Sequence, residues 1–511
     1  MAARIQKGIL TALLVLLLTY LLHVSSARYY WHDEVANLLY LSGHRPAELI
    51  EKLADGRPKT RAELHRFQEV NPDRGLADAV RSLALTSPQL PPLYLMVLWI
   101  WARLFGNAEW VLRGLSTGIW LGFLAAVYGL CWLLFTHQRT ATLAVLLLAF
   151  SPRFLPLAVQ VWEYGLYALL TALSSSLFLC ALNNPQAVKR WLLYGISLTA
   201  GLYAHLFFVT VPLSHLVYFG ISWRSYSKKE RNYFFRTLAV AVLLFAPWLL
   251  LLWQRPSGIY AWAGGRWALT TYLSRWWVTA TGLFDSLNLS GGLDVGVRLA
   301  ISALLGLAVV SLLSLSKQRQ GAFLLALMAV PFSFLLLLDV TFTMRYASVG
   351  RFYLPTLIAL VVALAFWLSR LMSSSRPVRR WLGTLALSFV LTLELLSVFP
   401  SAAPAARYQG YGSAIPNAAV IVNRAEKPLV IGENWLNLLP LSHEAKAETT
   451  YLLLKTPEQF HKAILPADSS TLYLLVPSPR LQETVRRAGF RLHATQSEVI
   501  WQLQPQPASR S

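Results

Sequence analysis

The sequence predicts an all-α polytopic membrane protein of about eleven transmembrane helices, with a long first external loop of amphipathic helices and a small C-terminal α/β external domain. Three observations carry this. Of the 511 residues, 56% are hydrophobic and 14% charged, where a soluble chain carries roughly a quarter charged. Apolar runs close to about 20 residues, the length a helix needs to cross the hydrocarbon core, recur along the first 400 positions, and mean hydropathy is +0.48. After Pro400 the runs shorten and turn residues divide them.

The runs, in order, are Ile9–Val24, Leu93–Leu104, Trp110–Phe135, Ala141–Ala158, Leu166–Leu182, Trp191–Ser222, Thr237–Trp253, Val295–Leu315, Gly321–Val340, Phe352–Leu371 and Trp381–Val398. Helices are expected because the bilayer core has no water to satisfy an open backbone. The first run is longer than a signal-peptide core, although "VSSA" (24–27) offers small residues at a cleavage position. The net charge of +21 does not imply nucleic acid, because Lys and Arg cluster in short loops. "MAARIQK", "RSYSKKERNYFFR" (224–236), "SKQRQ" (316–320) and "RPVRR" (376–380) read as cytoplasmic. The segments 25–90, 254–292 and 400–511 then lie outside. One feature runs against simple alternation: "THQRT" (136–140) and "NNPQAVKR" (183–190) are basic yet fall outside. Trp191–Ser222 is also long for one span, which points to a re-entrant break near His205.

Cys131 and Cys180 both lie inside apolar runs, so no disulfide framework is expected. The chain divides into a membrane core, 1–400, and an external domain, 401–511. In the latter, "PLVIGE" (428–433) and "TLYLLVPSP" (471–479) read as buried strands and "SEVIWQLQ" (497–504) as a terminal strand. "PEQFHKAIL" (457–465) and "RLQETVRRAGF" (480–490) read as amphipathic helices. This domain has no phosphate loop and suits packing or acceptor guidance. In the first external segment, residues 60–85 show helical spacing of Leu64, Phe67 and Val70, then of Leu76, Ala79, Val80 and Leu83. They are expected to lie on the membrane surface as a roof.

The chemistry-bearing stretch is "YYWHDE" (29–34), which follows the first span. Its adjacent carboxylates, Asp33 and Glu34, suit a solvated cap, a metal pair or a general base. The aromatic residues Tyr29, Tyr30 and Trp31 suit an interfacial belt or sugar stacking alike. Glu163 is an acid beside apolar runs, costly in lipid unless functional. His205 reads as a hydrogen-bonded core residue.

Further residues give a resemblance. "TSPQLPPLYLMVLWIWARLFGNAEWVLRGLS" (86–116) carries Pro91, Pro92, Leu93, Tyr94, Trp99, Leu104, Phe105, Gly106, Glu109 and Arg113, and "SP" (151–152), "EY" (163–164) and "GRFYLP" (350–355) follow. With "WHDE", these resemble the C-type membrane glycosyltransferases (GT-C), in particular the family 39, protein O-mannosyltransferase-like branch that takes sugars from polyprenyl phosphates. The resemblance covers most of residues 25–400. It implies an inverting transfer from a polyprenyl-phosphate-linked sugar donor to a hydroxyl of a glycan, lipid or protein acceptor at the outer face of a bacterial plasma membrane. It assigns the base to Asp33, with Glu34 beside it. Donor and phosphate contacts fall to Arg351, Arg153, Tyr94, Glu163 and Tyr164.

The sequence departs from that pattern at two positions. The residue before the Pro-Pro pair is Leu90 where relatives carry His, and Trp162 stands where they carry Arg before Glu-Tyr. The first removes a ligand for a divalent metal, which leaves no cofactor assigned. The second shifts phosphate neutralisation onto Arg153 and Arg351, which otherwise read as interfacial anchors. A relative that binds lipid-linked sugar or a partner without turnover is the alternative reading. A secondary transporter is a further one, against which the chain shows no internal repeat.

Overall fold

The structure is a computed structural model that describes residues 29–254, 263–287, 289–315, 318–398, 414–463 and 471–506, with 15, 17, 19 and 21. The first expected span, Ile9–Val24, and the linker after Pro400 lie mostly outside the described residues. The chain packs as two units. One combines residues 1–24, 87–94 and 113–399; the other combines 25–86, 95–112 and 400–511.

Among the described residues, the membrane unit carries seven helices long and apolar enough to span a bilayer: Glu109–Phe135, Tyr164–Asn183, Lys228–Trp253, Gly292–Leu313, Arg319–Phe342, Gly350–Met372 and Pro377–Val398. Gln138–Ala149 and Leu206–Ile221 are shorter apolar helices. The apolar windows of Gly350–Met372 and Tyr164–Asn183 are 78% and 72% buried, against 17% for Lys228–Trp253. The first two therefore form the centre. Lys228–Trp253 turns Val240, Val242, Leu243, Leu244, Leu250 and Trp253 outward, the composition of a lipid-facing surface.

The expected span Ala141–Ala158 is helical only to Ala149, with the 3-10 turn Leu155–Ala158 after it, and two further expected spans also come out differently. Trp191–Ser222 is two helices, Val188–Ala204 and Thr210–Ile221, joined by the 3-10 turn Leu206–Val209. His205 adopts an extended backbone (φ −158°, ψ 135°), and its Nδ1 accepts the Phe207 N–H at 3.2 Å. That bond satisfies a donor exposed by the break and places the ring proton on Nε2. Gly201 makes the return possible: a Cβ there would lie 2.2 Å from the Phe208 ring. The second case is Leu93–Phe105. At 1.5 Å per residue its 13 residues reach only about 20 Å, as short as Gln138–Ala149 and Thr210–Ile221; what sets it apart is the unit it packs in. Gly106, at φ +98°, then ends the helix by taking the left-handed cap that favours glycine. Residues 95–112 belong to the second unit.

The basic segments meet at one end of the membrane unit. Arg139 Nη1 donates to Ser373 Oγ at 2.8 Å, Lys229 Nζ to Gln186 Oε1 at 2.6 Å, and Arg319 to Asn183 Oδ1. Thus 136–140 and 183–190 share an end with 224–236 and with the residues around 319 and 373. Deeper in the unit, His215 bonds Tyr194 Oη at 2.9 Å and Ser175 Oγ at 3.2 Å, tying three helices together.

The second unit is built around a six-stranded sheet in the order β1-β3-β2-β4-β6-β5. The strands are β1 Lys59–Thr60, β2 Pro428–Gly432, β3 Thr450–Leu453, β4 Thr471–Leu475, β5 Phe490–Ala494 and β6 Ile500–Pro505. β2 runs parallel to β3 and β4; the remaining pairs are antiparallel. Leu429, Ile431, Leu452, Phe460, Leu474, Leu481 and Val485 form its core. The stretch 457–465, expected as an amphipathic helix, begins as the 3-10 helix Pro457–Lys462. The helix expected over 480–490 is Pro479–Arg487, and its last residues open β5 instead.

The first external segment forms the short helices Arg61–His65 and Leu76–Thr86 and joins the C-terminal sheet. Its residues Lys59 and Thr60 pair with Tyr451 and Thr450, and Gln459 Nε2 donates to Ala54 O at 2.7 Å. Glu48 gathers Arg45 at 2.8 Å, Arg74 at 2.9 Å and His44 at 3.2 Å. Burial raises this carboxyl, but bonds from Arg45, His44 and Arg74 override it and bring it down to about 2.

Gly201→Leu should destabilise the detergent-solubilised protein by about 1–3 kcal/mol through overpacking against Phe208. Gly220→Ala, where a Cβ meets nothing within 4 Å, should leave thermal unfolding unchanged. Equal unfolding temperatures for both variants would refute the packing account of the break.

Candidate functional site

The stretch "YYWHDE" is fixed by its own unit. Helix His32–Leu41 begins directly after Trp31, and Glu34 stands at its third position. The Trp31 backbone N–H donates to Glu34 Oε2 at 3.4 Å, and Glu34 is fully buried. Glu34 thereby caps its own helix, as a carboxylate in a first turn does. Asp33 is only half-buried, so the adjacent acids occupy different environments.

The aromatic residues before them also have assigned work. Tyr30 is buried and meets the His443 ring edge-on at 4.6 Å. His443 stacks on His65 at 4.4 Å and bonds Gln68 Oε1 at 2.9 Å. Burial, then the positive field of Arg61, lowers His65 to about 4, so His65 is neutral at pH 7. His32 Nε2 bonds Asn437 Oδ1 at 3.1 Å. Helix Trp435–Glu444, from the C-terminal residues, therefore holds the segment that presents Asp33. The sequence alone left Tyr30 as belt or sugar platform; it is a packing anchor.

The membrane unit brings Arg351, Tyr164, Trp162 and Arg153 together. Arg351 stands in the 3-10 turn Gly350–Tyr353, which opens the central helix Leu354–Met372. Its Nε donates to Tyr164 Oη at 3.2 Å. Its guanidinium lies 4.8 Å from the Trp162 ring, 5.7 Å from Tyr164 and 5.8 Å from Phe352, within the range of cation–π attraction. Trp162 thus holds the Arg351 cation in place. Tyr164 packs on His205 at 4.8 Å, and His205 stacks on Tyr167 at 4.7 Å. Glu163 is buried immediately before helix Tyr164–Asn183. Tyr94 is buried at the start of helix Leu93–Phe105.

Arg153 approaches the same turn from another loop. A Cβ on Gly350 would lie 3.5 Å from Arg153 Nη1, and one on Gly282 would lie 2.9 Å from Nη2. The guanidinium therefore takes space that Gly282 leaves open and lies at ordinary contact distance from Gly350, whose tighter neighbour is the Thr279 side chain at 2.9 Å. Ser151 Oγ donates to Leu283 O and keeps the two loops joined. Arg153 Nε is shielded from water and has no hydrogen-bond partner among the described residues. Nor does any described acid pair with this guanidinium.

Arg298 shows the contrasting arrangement nearby. It is buried, its Nε reaches Asp294 at 2.8 Å, and its Nη2 lies 3.7 Å from Asp285. Its Nη1 donates to Thr281 Oγ1 at 3.0 Å. This arginine is neutralised by its own chain. The pair went unread in the sequence, although Asp294 and Arg298 have the i,i+4 spacing of a helical ion pair.

The turn that carries Arg351 is held by Asp339. Its carboxylate accepts the backbone N–H groups of Tyr346 at 2.7 Å and Ala347 at 2.8 Å. Trp276 Nε1 and Tyr353 Oη both donate to Ala347 O, at 2.6 and 2.8 Å. Asp339 was not singled out in the sequence because it sits in a run of apolar residues. Among the described residues, no cluster of three or more His, Cys, Asp or Glu side chains is placed to hold a metal.

Comparison with known proteins agrees with this architecture. The family described as dolichyl-phosphate-mannose-protein mannosyltransferase matches residues 89–253. No curated protein sequence matches the chain. Among solved structures, ArnT from Cupriavidus metallidurans bound to undecaprenyl phosphate is similar, with a TM-score of 0.55 and 12% identity over 97% of this chain and 98% of that one. The apo state of the same protein gives a TM-score of 0.53, at 12% identity over 98% of both chains. The chain is a multi-pass membrane protein with the fold of the C-type glycosyltransferase superfamily.

Proposed function

We propose that the protein transfers a sugar from a polyprenyl-phosphate donor to a hydroxyl acceptor at the outer membrane face. The observation that carries this reading is Arg153: a cation packed against Gly282, its Nε shielded from water and unbonded, without a described acid beside it. A desolvated cation is costly unless an anion joins it, and a lipid phosphate supplies one. The ArnT of like fold is bound to undecaprenyl phosphate, which supports the same ligand class here.

The chemistry is a single displacement. The acceptor oxygen forms a bond to the anomeric carbon while the bond from that carbon to the phosphate oxygen breaks. Asp33 takes the acceptor proton, and the electron pair leaves with the polyprenyl phosphate. Arg153 and Arg351 stabilise the charge that grows on the phosphate. Inversion follows from the single step. Asp33 suits the base better than Glu34 because Glu34 is engaged in capping its helix. Trp162, in the place of the relatives' Arg, contributes by holding Arg351. Tyr164 orients the same guanidinium, and we assign Glu163 and Tyr94 to the donor side of the reaction with it.

The orientation follows from charge. Counting as passes the apolar helices of the membrane unit, Gln138–Ala149, Val188–Ala204 and Thr210–Ile221 included, and not Leu93–Phe105, most of which belongs to the second unit, the basic segments 136–140, 183–190, 224–236, 316–320 and 376–380 all fall on one side. The positive-inside tendency makes that side cytoplasmic. The loops bearing Arg153, Tyr164, His205 and Arg351 then face outward, as does the C-terminal domain. We place the protein in a bacterial plasma membrane.

Cysteines introduced into a Cys-free background test the orientation. A thiol at Asn184 should resist an impermeant reagent applied from outside, and one at Glu448 should react. Labelling at Asn184 in sealed cells would restore simple alternation and break this reading.

Arg153→Gln should weaken polyprenyl-phosphate binding by roughly 10-fold or more, since a charge-assisted bond contributes about 1.5–3 kcal/mol. Arg351→Gln should do likewise. Unchanged affinity in both folded variants would remove the arginines from the donor site.

Asp33→Asn should lower turnover by about 10²-fold or more, the scale of a lost general base, with donor binding retained. Glu34→Gln should chiefly lower stability. Full activity in Asp33→Asn would dismiss it as the base, and binding without turnover in the wild type would favour the non-catalytic alternative.

A further inference from the structure

The basic end of the membrane unit carries cations that the proposed reaction does not use. The turn between helices Thr210–Ile221 and Lys228–Trp253 is the clearest case. Phe219 stacks on Tyr226 at 4.3 Å and on Phe234 at 4.2 Å, which holds the 3-10 turn Trp223–Ser225 between the two helices. Arg231 closes the turn. Its Nη2 donates to Trp223 O at 2.8 Å, and its guanidinium lies 4.1 Å from the Trp223 ring. Its Nε is shielded from water and has no hydrogen-bond partner among the described residues. Arg224 and Lys228 are exposed on either side.

Three like charges in one turn repel one another, and the chain supplies little to offset them. From Tyr164 to Phe284 the sequence has a single acid, Glu230. That carboxylate accepts the Ser227 N–H, while the Glu230 N–H donates to Ser227 Oγ, so it caps its own helix. Lys228 and Arg231, three apart, are neighbours on one helical face. Seven-residue steps from Lys228 along that face reach Phe235, Val242 and Leu249, all exposed. Trp223 is exposed as well and meets Phe235 at 6.1 Å, so the indole stands where the cations give way to the apolar stripe. Apolar side chains exposed next to Trp, Lys and Arg mark the level of the lipid headgroups. A guanidinium resting on an indole is pre-oriented, so little further ordering is needed to bond a phosphate.

We propose that Arg224, Lys228 and Arg231, organised by Trp223, bind the phosphate of an anionic phospholipid whose acyl chain lies along Phe235, Val242 and Leu249. The occupant is chosen by two facts together. The cations call for an anion, and the apolar stripe that continues from them calls for an anion that carries a hydrocarbon chain. This site is separate from the donor-phosphate reading of Arg153 and Arg351 and stands without it. It also has a consequence for the fold. Among the seven long spans, Lys228–Trp253 has the least buried apolar window, at 17%, so a lipid held at its start supplies packing that the protein itself does not.

The test compares protein in phosphatidylcholine nanodiscs with and without phosphatidylglycerol, reading the unfolding temperature and, by native mass spectrometry, the phosphatidylglycerol retained per protein. Wild-type protein should gain stability from phosphatidylglycerol and retain it. Lys228→Gln, a surface change, should weaken retention by roughly fivefold, and Arg224→Gln/Lys228→Gln by more, as each interfacial cation contributes about that factor. Trp223→Leu should weaken it while leaving the charge unaltered. Unfolding temperatures of the Arg224 and Lys228 variants in phosphatidylcholine alone should match the wild type, which separates lost lipid from lost fold. Arg486→Gln, exposed in the other unit, should behave as wild type throughout. Undiminished retention in Arg224→Gln/Lys228→Gln would overturn the proposal. Equal stabilisation by inorganic phosphate in plain phosphatidylcholine nanodiscs would also overturn it, by showing a free-anion site.

Discussion

The membrane unit depends on how it tolerates buried positive charge. Removing a guanidinium from water costs several kcal/mol unless an opposite charge accompanies it. The chain meets that cost in two ways a short distance apart. Arg298 is met by Asp285 and Asp294 and by the hydroxyl of Thr281. Arg153 is given space by Gly282 and no described acid. The first arrangement is self-sufficient and structural. The second has no described acid, and on that ground we propose an anionic ligand for it. Arg351, gripped by Trp162 and Tyr164, lies one residue from Gly350 and is part of the same requirement.

The rest of the unit serves to hold these loops still. Asp339 closes the turn before Arg351, and Ser151 joins the Arg153 loop to the segment at 283. His205 caps the break that lets two helices run where hydropathy suggests one. The second unit does the same for Asp33 by a different route. A two-residue strand of the first external segment pairs with a strand formed some 390 residues later in the chain, and His32 and Tyr30 dock on helix Trp435–Glu444 and its His443. The C-terminal domain is thus a support for the segment that carries the carboxylates.

Much of this was legible from the sequence, for physical reasons that also explain the gaps. Apolar runs and a low charge fraction report the membrane fold directly, and the strands at 428–432, 471–475 and 500–505 stand out as apolar runs between turns. The break at His205 is nearly silent because "GLYAHLFF" stays apolar on both sides; only the excess length hinted at it. Leu93–Phe105 is as apolar as the spans, and its membership of the second unit arises only on folding. β1 is too brief to carry any pattern, and β5 hides behind the charged helix that precedes it. Asp33, Arg351 and Arg153 could be picked out because their motifs resemble those of known transferases. Asp339 and Arg298 could not, since their work is to bond neighbours that are near only after folding.

The most direct measurement is an electron cryomicroscopy map of the protein reconstituted with undecaprenyl phosphate. The account predicts density for the phosphate within hydrogen-bonding distance of the Arg153 guanidinium, with Arg351 still stacked on Trp162. Phosphate density elsewhere, with Arg153 lying against Gly282 and Gly350 and bonded to nothing, would contradict it.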